Sequence, residues 1–248
     1  MSAPIFDRAA PVYFEQSVDS TNLWLRRRAE ELPDGAAVIA AAQSAGRGRS
    51  GRSFLSPEGG LYLSVLLRPQ TAPERLPTLT PVAALAVCRA VDALSGLHCS
   101  IKWPNDIVLV GKKICGILVE SVLGGEKPCV IVGVGVNANT RSFPEELREI
   151  AGSVAALAGR EIDLNALAAA LLREFDALFA TWLADEACAL AEYRARCLTI
   201  GREVLAGERR GLARAVGDDY SLLVEWPDGT TEALRFGEVS VRGLYGYV

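Results

Sequence analysis

The chain is short of the groups on which hydrolytic and metal-dependent enzymes most often rely. It holds a single histidine, His98, and its six cysteines include no C-x-x-C pair. The common zinc sets, and a Ser-His or Cys-His dyad, would all have to use that one imidazole. His98 lies between an expected helix end at Gly96 and a strand, where a plain loop histidine is the simpler reading, and no metal site is expected. The cysteines at 88, 99, 115, 129, 188 and 197 sit in apolar stretches and read as buried free thiols. Long hydrophobic runs are absent too. The longest, such as 82–87, stop far short of the ~20 residues that span a bilayer, so no membrane association is expected. The N-terminus lacks a basic start followed by an apolar core, which argues against a secretory signal and for a cytoplasmic location.

Acidic residues are missing from one place in particular. None occurs between Asp34 and Glu58, although the chain as a whole carries a formal net charge of -4. Within that gap, Gly46-Arg47-Gly48-Arg49-Ser50-Gly51-Arg52 puts three arginines and three glycines into seven positions. Glycine lets backbone amides approach a ligand closely, and arginine offers fixed forks of donors suited to carboxylate and phosphate. The loop therefore reads as an anion handler. With a sequence pI near 5.3 and no spread basic face, its target is a small anionic substrate, and no DNA partner is expected.

Half of the 248 residues are apolar and 23% are charged, a balance suited to a globular chain with a real core. A strand is expected at 12–15, then a helix from Ser20 or Thr21 to about Leu32, where Pro33-Asp34-Gly35 forces a turn. Strands follow at 37–42 and 61–67, with the Arg-Gly loop strung between them. Thr80-Pro81 opens a buried helix that runs to Leu94 and stops at Gly96. Strands are expected at 100–103, 107–110 and 114–120, the last two joined through Gly111-Lys112, and a further strand at 129–136. A short helix at 153–158, a long amphipathic one capped by Asp163 and another over 186–198 come next. From Ile200 the texture changes to short β runs separated by Gly207, Gly211, Gly217-Asp218-Asp219 and Pro227-Asp228-Gly229, which suggests a small β-barrel beginning near 198–201.

Gly46 to Gly51 matches G-x-G-x-x-G after a strand. The dinucleotide-binding version of that motif must open a helix, and the Pro57 and paired glycines that follow forbid one. Lys102-Trp103-Pro104-Asn105-Asp106 is the second informative unit. A lysine-bearing strand ends at proline, and the Asn-Asp pair is left on a turn, either facing a ligand or merely capping a hairpin. Lys113 is followed by Gly116, where the missing side chain leaves room against the backbone; Gly133 and Gly135 likewise thin a strand that ends at Asn137.

Together these units resemble the biotin protein ligases. The resemblance is carried by Ser20-Thr21-Asn22, by Gln43 with the Gly46 to Arg52 loop, by Lys102 to Asp106 with Lys113-Ile114-Cys115-Gly116-Ile117-Leu118, and by Gly133-Val134-Gly135-Val136-Asn137. It implies an α+β chain: a mixed-sheet catalytic domain over 1–199 and an SH3-like β-barrel over 200–248. The chain resembles the ligase-only type, without the winged-helix DNA-binding domain that some relatives carry. The resemblance implies biotin and ATP as substrates, Mg2+ with the ATP, and a lysine on the biotin carboxyl carrier domain of a carboxylase as acceptor. Some relatives dimerise through the catalytic sheet, so a homodimer stays open beside a monomer.

By the same resemblance Lys113 and Arg49, with Arg47, are the catalytic cations. Ser20, Thr21, Asn22, Gln43, Gly46, Arg47, Gly48, Arg49, Lys113, Gly116, Leu118 and Gly133 fall to biotin, and Arg49, Arg52, Lys102, Asn105 and Asn137 to ATP. Relatives often stack an aromatic on adenine from the segment before the long helix. Here 150–155 contains none, so adenine packing must differ. Residues 44–57 are expected to be mobile without ligand and to order over the intermediate. Two rivals remain: a lipoate ligase, which shares the catalytic fold, and a non-enzymatic nucleic-acid binder that uses the arginines as a phosphate patch.

Overall fold

The computed structural model describes residues 8–122, 127–236 and, for the backbone alone, 241–243. Its centre is a seven-stranded sheet in the order β1-β2-β3-β7-β6-β5-β4. The strands are β1 (Val12–Val18), β2 (Ala37–Gln43), β3 (Leu61–Leu67), β4 (Ser100–Lys102), β5 (Asp106–Leu109), β6 (Lys112–Val122) and β7 (Cys129–Val136). β1 and β2 are parallel and every other pair is antiparallel. The single parallel pair needs a crossover, supplied by α1 (Thr21–Arg27) on one face. The other face carries α2 (Leu79–Ser95) and α4 (Leu164–Ala184), with α3 (Val154–Ala158) and α5 (Leu190–Arg196) at their flanks.

Alternation along β7 separates the two faces. Val130, Val132, Val134 and Val136 enter the main core under α2 and α4, whereas Cys129 and Ile131 join a smaller core with Trp24, Leu25 and Leu66 under α1. Gly133 and Gly135 continue that second face without side chains of their own, which leaves room there for Asn22 and Phe54. α2 is buried around most of its circumference because it lies between the sheet and α4. The helical stretch Pro73–Ser95 has the length and apolar content of a membrane span, yet 78% of its most apolar window is inside the protein. Gly96, left-handed at φ 75°, ends α2 as expected, and the Asp163 carboxylate caps α4 by accepting from Asn165 N and Ala166 N.

Several boundaries differ from the sequence expectation. α1 stops at Arg27, not Leu32, because the chain tightens into i→i+3 bonds, Arg28 N to Leu25 O and Glu31 N to Arg28 O, before the Pro33 turn. α5 covers only Leu190–Arg196: Asp185 turns the chain ahead of it, and Cys197 is drawn out as a bridge to Ile101 on β4. The β5–β6 hairpin turns on Val110-Gly111, both at positive φ, and not on Gly111-Lys112. A 3-10 turn at Pro73–Thr78 leads into α2 without a signal in the apolar pattern.

The tail forms a separate five-stranded antiparallel sheet, β11-β10-β9-β8-β12, consistent with the SH3-like expectation. Its strands are β8 (Glu203–Ala206), β9 (Arg209–Val216), β10 (Leu222–Glu225), β11 (Thr231–Leu234) and β12 (Val241–Gly243). Gly207, Gly217-Asp218-Asp219 and Pro227-Asp228-Gly229 fall between strands. Gly211 does not: it lies inside β9, where a Cβ would come within 2.4 Å of Val224. Trp103 joins the two sheets by donating Nε1–H to Tyr220 O at 3.0 Å and packing on Phe236. Apolar contacts run without a break from the main core into Val204, Tyr220 and Leu222.

Candidate active site

A parallel strand pair ends both of its strands at the same edge of the sheet. β1 therefore delivers Ser20, Thr21 and Asn22 to the place where β2 delivers Gln43. Ser20 occupies the N-cap of α1 with extended backbone, but its side chain makes no capping bond, contrary to the simple helix-cap reading. The Thr21 backbone N–H donates to Gln43 Oε1 at 2.8 Å, and Gln43 Nε2–H donates to Ser56 Oγ at 2.9 Å. Asn22 Nδ2–H donates to Glu120 Oε2 at 2.8 Å and, more weakly, to Leu118 O at 3.4 Å. Ser64, fully buried on β3, lies 2.7 Å from Thr21 Oγ1 and 2.6 Å from Asn22 Oδ1.

Ser20, Thr21, Asn22 and Gln43 wall a slot whose floor is the α1 face of β7 and β6. Cross-strand register sets Gly116 beside Gly135, and Leu118 and Ser64 on either side of Gly133. A Cβ on Gly133 would stand 2.1 Å from Asn22 Oδ1, so its missing side chain makes room for that amide. A Cβ on Gly135 would stand 2.6 Å from the Phe54 ring, and one on Gly116 would stand 3.1 Å from it. Phe54 thus lies on the two glycines and reduces the open space to about 30 Å³, room for roughly one water. Gly46 is required on its own account, because a Cβ there would strike Phe54 O at 2.3 Å.

The loop makes a 3-10 turn at Arg49–Gly51, not the helix of a dinucleotide motif. Gly48 N–H closes the turn on Arg52 O. Arg47 pairs with Glu120 at 3.0 Å, and Arg49 Nη1–H donates to Asn105 Oδ1 at 3.2 Å. Asn105 is itself held by donating Nδ2–H to Ile117 O, so it is neither a bare turn cap nor loose. Lys113 Nζ pairs with Asp106 at 2.6 Å. Its backbone bonds residues 150–152 on both sides, Lys113 N to Ile150 O and Gly152 N to Lys113 O. The segment that lacks an aromatic therefore runs directly past the lysine. Asn137 is buried at the end of β7, where its backbone bonds Ile114 O and Val154 N.

Burial pulls the Arg49 guanidinium and the Lys102 ammonium below their ordinary pKa values, and Asp106 counters the pull in both cases. Lys113, Arg202 and Arg52 add like-charge repulsion on Lys102, and Arg52 adds it on Arg49. Five cations thus share one neighbourhood with Asp106, a surplus of positive charge suited to a polyanion. Among the described residues no group of three His, Cys, Asp or Glu is arranged to hold a metal, and all six cysteines are free. The sequence reading missed Phe54, Ser56, Ser64, Glu120 and Arg202. Glu120 carried a signal: it follows Gly116 and Leu118 at period two inside an apolar strand, which sets it on their face.

A slot lined by polar groups, glycines and Arg47, with the Lys113 side chain beside Gly116, above a mixed sheet with an antiparallel β appendage, defines the class of protein. Residues 13–137 match the biotin/lipoate A/B protein ligase family. The chain belongs to that family. It is 33% identical over 235 residues to the bifunctional ligase/repressor BirA of Escherichia coli strain K12, covering 91% of this chain and 72% of that one. Over 232 residues it is 36% identical to a biotin--[acetyl-CoA-carboxylase] ligase of Mycobacterium tuberculosis, covering 89% and 85%. It spans 63% of the length of the BirA of Bacillus subtilis strain 168, to which it is 35% identical over 206 residues, 79% of this chain. Among solved structures, the biotin protein ligase from Aquifex aeolicus in complex with biotin and ATP superposes with a TM-score of 0.84 at 30% identity, covering 94% of this chain and 98% of that one.

Proposed function

We propose that the protein is an ATP-dependent biotin protein ligase. A biotin carboxylate oxygen attacks the α-phosphorus of ATP, giving biotinyl-5'-AMP and pyrophosphate. The ε-amine of a lysine on a carboxylase carrier domain then attacks the acyl carbon and releases AMP. The observation that carries the proposal is the meeting of two kinds of group at one glycine floor: Thr21 and Gln43 line the slot with Gly116, Gly133 and Gly135, and the Lys113 side chain, paired with Asp106, comes within 3.7 Å of the position that a Cβ on Gly116 would take.

That layout suits the two problems of the reaction. A buried cyclic urea must have its donors and acceptors matched, since each unmatched group costs about 1–3 kcal/mol. Ser20, Thr21, Asn22 and Gln43 take this task, with Gly116, Leu118 and Gly133 under the apolar part of the ligand. The carboxylate and the α-phosphate repel one another, by roughly 1 kcal/mol per unit-charge pair at 4 Å in water and about 4 at an effective dielectric of 20. Lys113 and Arg49, with Arg47, cancel that repulsion and hold the carboxylate in line with phosphorus. Arg52, Lys102, Asn105 and Asn137 face the nucleotide. Biotin exceeds the space that Phe54 leaves, so the ring must swing from Gly116 and Gly135 as ligand enters, and the loop that carries it re-forms over the intermediate. Mg2+ would ride on the ATP phosphates, since Asp106 is already paired with Lys113.

Biotin-dependent exchange of labelled pyrophosphate into ATP tests the proposal, with lipoate as the control acid. Exchange with biotin and none with lipoate is expected. Exchange with lipoate alone would move the assignment to the other branch of the family, and salt-sensitive binding of RNA or DNA without any exchange would support the nucleic-acid rival.

A further inference from the structure

We propose that Ser64 and Glu120 set the direction of a buried hydrogen-bond chain, so that Thr21 and Gln43 offer a ligand two acceptors and no hydroxyl donor. The inference rests on the assignment of this slot to a cyclic urea. It follows from counting protons along four side chains.

The chain starts at Glu120, whose ionised carboxylate can only accept. Its Oε2 takes the Asn22 amide N–H at 2.8 Å, and the backbone carbonyl of Leu118, also only an acceptor, takes the weaker second contact. The Asn22 amide therefore has one orientation, with Nδ2 toward β6 and Oδ1 toward Ser64. Oδ1 accepts only, so the 2.6 Å contact with Ser64 consumes the single hydroxyl proton that serine has. The 2.7 Å contact between Ser64 and Thr21 must then be donated by Thr21, whose own proton is spent in turn.

Gln43 is fixed from its other end. Ser56 Oγ–H donates to Phe54 O at 2.9 Å, so Ser56 must accept from Gln43 Nε2, and Gln43 Oε1 is left facing Thr21. Oε1 takes the Thr21 backbone N–H at 2.8 Å. Thr21 Oγ1 and Gln43 Oε1 lie 3.0 Å apart in a geometry that would let Thr21 donate, but two hydroxyl protons serve three contacts and the two shorter ones, at 2.6 and 2.7 Å, claim them. Two adjacent lone-pair carriers call for an N–H from the ligand, and they repel an oxygen in its place. A relation several residues deep thus turns a pocket that would otherwise tolerate either partner into one selective for N–H. Ser64 is a positioning residue in this scheme, and Glu120 supplies its polarity while also pairing with Arg47.

The test compares biotin with an analogue in which a ring oxygen replaces the urea N–H that faces Thr21, a cyclic carbamate, in the pyrophosphate-exchange assay. The unsubstituted protein should favour biotin by about a hundredfold in kcat/KM. In Ser64→Ala the Thr21 hydroxyl loses its acceptor and is free to donate. The KM for biotin should then rise about tenfold with the KM for ATP unchanged, and the preference should fall to within a few fold. Glu120→Gln provides an independent arm on a part-exposed side chain. An amide at 120 can offer an N–H to Asn22 and so lets Asn22 turn over against only its weaker contact with Leu118 O, which inverts the chain and leaves Thr21 a donor, so the preference should fall again, though less than in Ser64→Ala. A mere packing defect would instead weaken biotin and carbamate equally. Variants that remain folded and keep the hundredfold preference would overturn the wiring alone, whereas absence of any biotin-dependent exchange in the unsubstituted protein would overturn the assignment of the slot as well.

Discussion

The two faces of the central sheet answer opposite demands, and β7 displays both within eight residues. Toward α2 and α4 it sends valine at every second position, all buried in one large apolar cluster. Toward α1 the same strand runs Cys129, Ile131, Gly133, Gly135, passing from a small packed core into a floor without side chains. One face is filled with packed side chains, and the other lacks them where a ligand needs backbone-level access. The polar groups follow the same division. Ser64, Thr21 and Asn22 are as buried as the valines, yet each has hydrogen-bond partners on the emptied face. Substitutions on the packed face should therefore cost stability and leave the chemistry alone, while those on the open face should do the reverse.

The largest expected effect lies at the cationic end of the open face. Lys113→Ala removes the ammonium that offsets the meeting of carboxylate and phosphate, and adenylate formation should fall about 10³-fold, the scale seen when one charge-stabilising donor is lost. Only the partly exposed pair with Asp106 is lost from the fold, so the melting temperature should move little. Pyrophosphate exchange and a thermal melt on one sample decide the matter. A large drop in melting temperature with exchange retained would reverse the division between the faces.

Neighbouring positions on β7 give the sharpest contrast. Val132→Ala should destabilise the protein by about 2 kcal/mol in chemical denaturation, through lost burial plus an unfilled cavity, with the KM for biotin unchanged. Gly135→Ala adds one methyl group at 2.6 Å from Phe54, a ring on a loop that can shift. Stability should change by less than about 1 kcal/mol, while the KM for biotin rises about tenfold, because a methyl in a fitted pocket is worth 1–3 kcal/mol of discrimination. Equal stability losses at the two positions would mean that the floor is packed core after all.

These differences explain which parts of the structure were legible in the sequence. Elements built by the packed face were readable, since α2, α4, β3 and β7 each display a run or period of apolar residues with a proline, aspartate or glycine at an end. Candidate site residues with unusual chemistry stood out for a related reason: an Arg-Gly loop, Lys102 before a proline and glycines inside a strand all break local expectation. Ser64 and Glu120 looked ordinary. Their importance comes from register, which sets Ser64 across from Gly133 and aims Glu120 back at Asn22, and register between distant strands is not written in local pattern. The short helices were misjudged in length because local i→i+3 bonds before the Pro33 turn end α1, and the bridge of Cys197 to Ile101 ends α5.

The smallest expected effect concerns a residue that belongs to neither face. Val110 sits at the tip of the β5–β6 hairpin with φ 47°, followed by Gly111 at φ 75°, and it is 68% exposed. Positive φ at both central residues gives a tight turn whose first position favours asparagine or glycine, and a β-branched side chain there is strained. Nothing buried repays the strain, because the side chain points into solvent. Val110→Asn should therefore stabilise the protein by about 1 kcal/mol, read as a higher denaturation midpoint with an unchanged slope. The hairpin also carries Lys113, three residues beyond Val110 and the second of β6, so exchange activity measured on the same variant reports whether the tip is mechanically separate from the site. Unchanged kcat and KM would assign the valine to neither packing nor catalysis, whereas a gain in stability paired with a loss of exchange would tie the strained turn to the placement of Lys113.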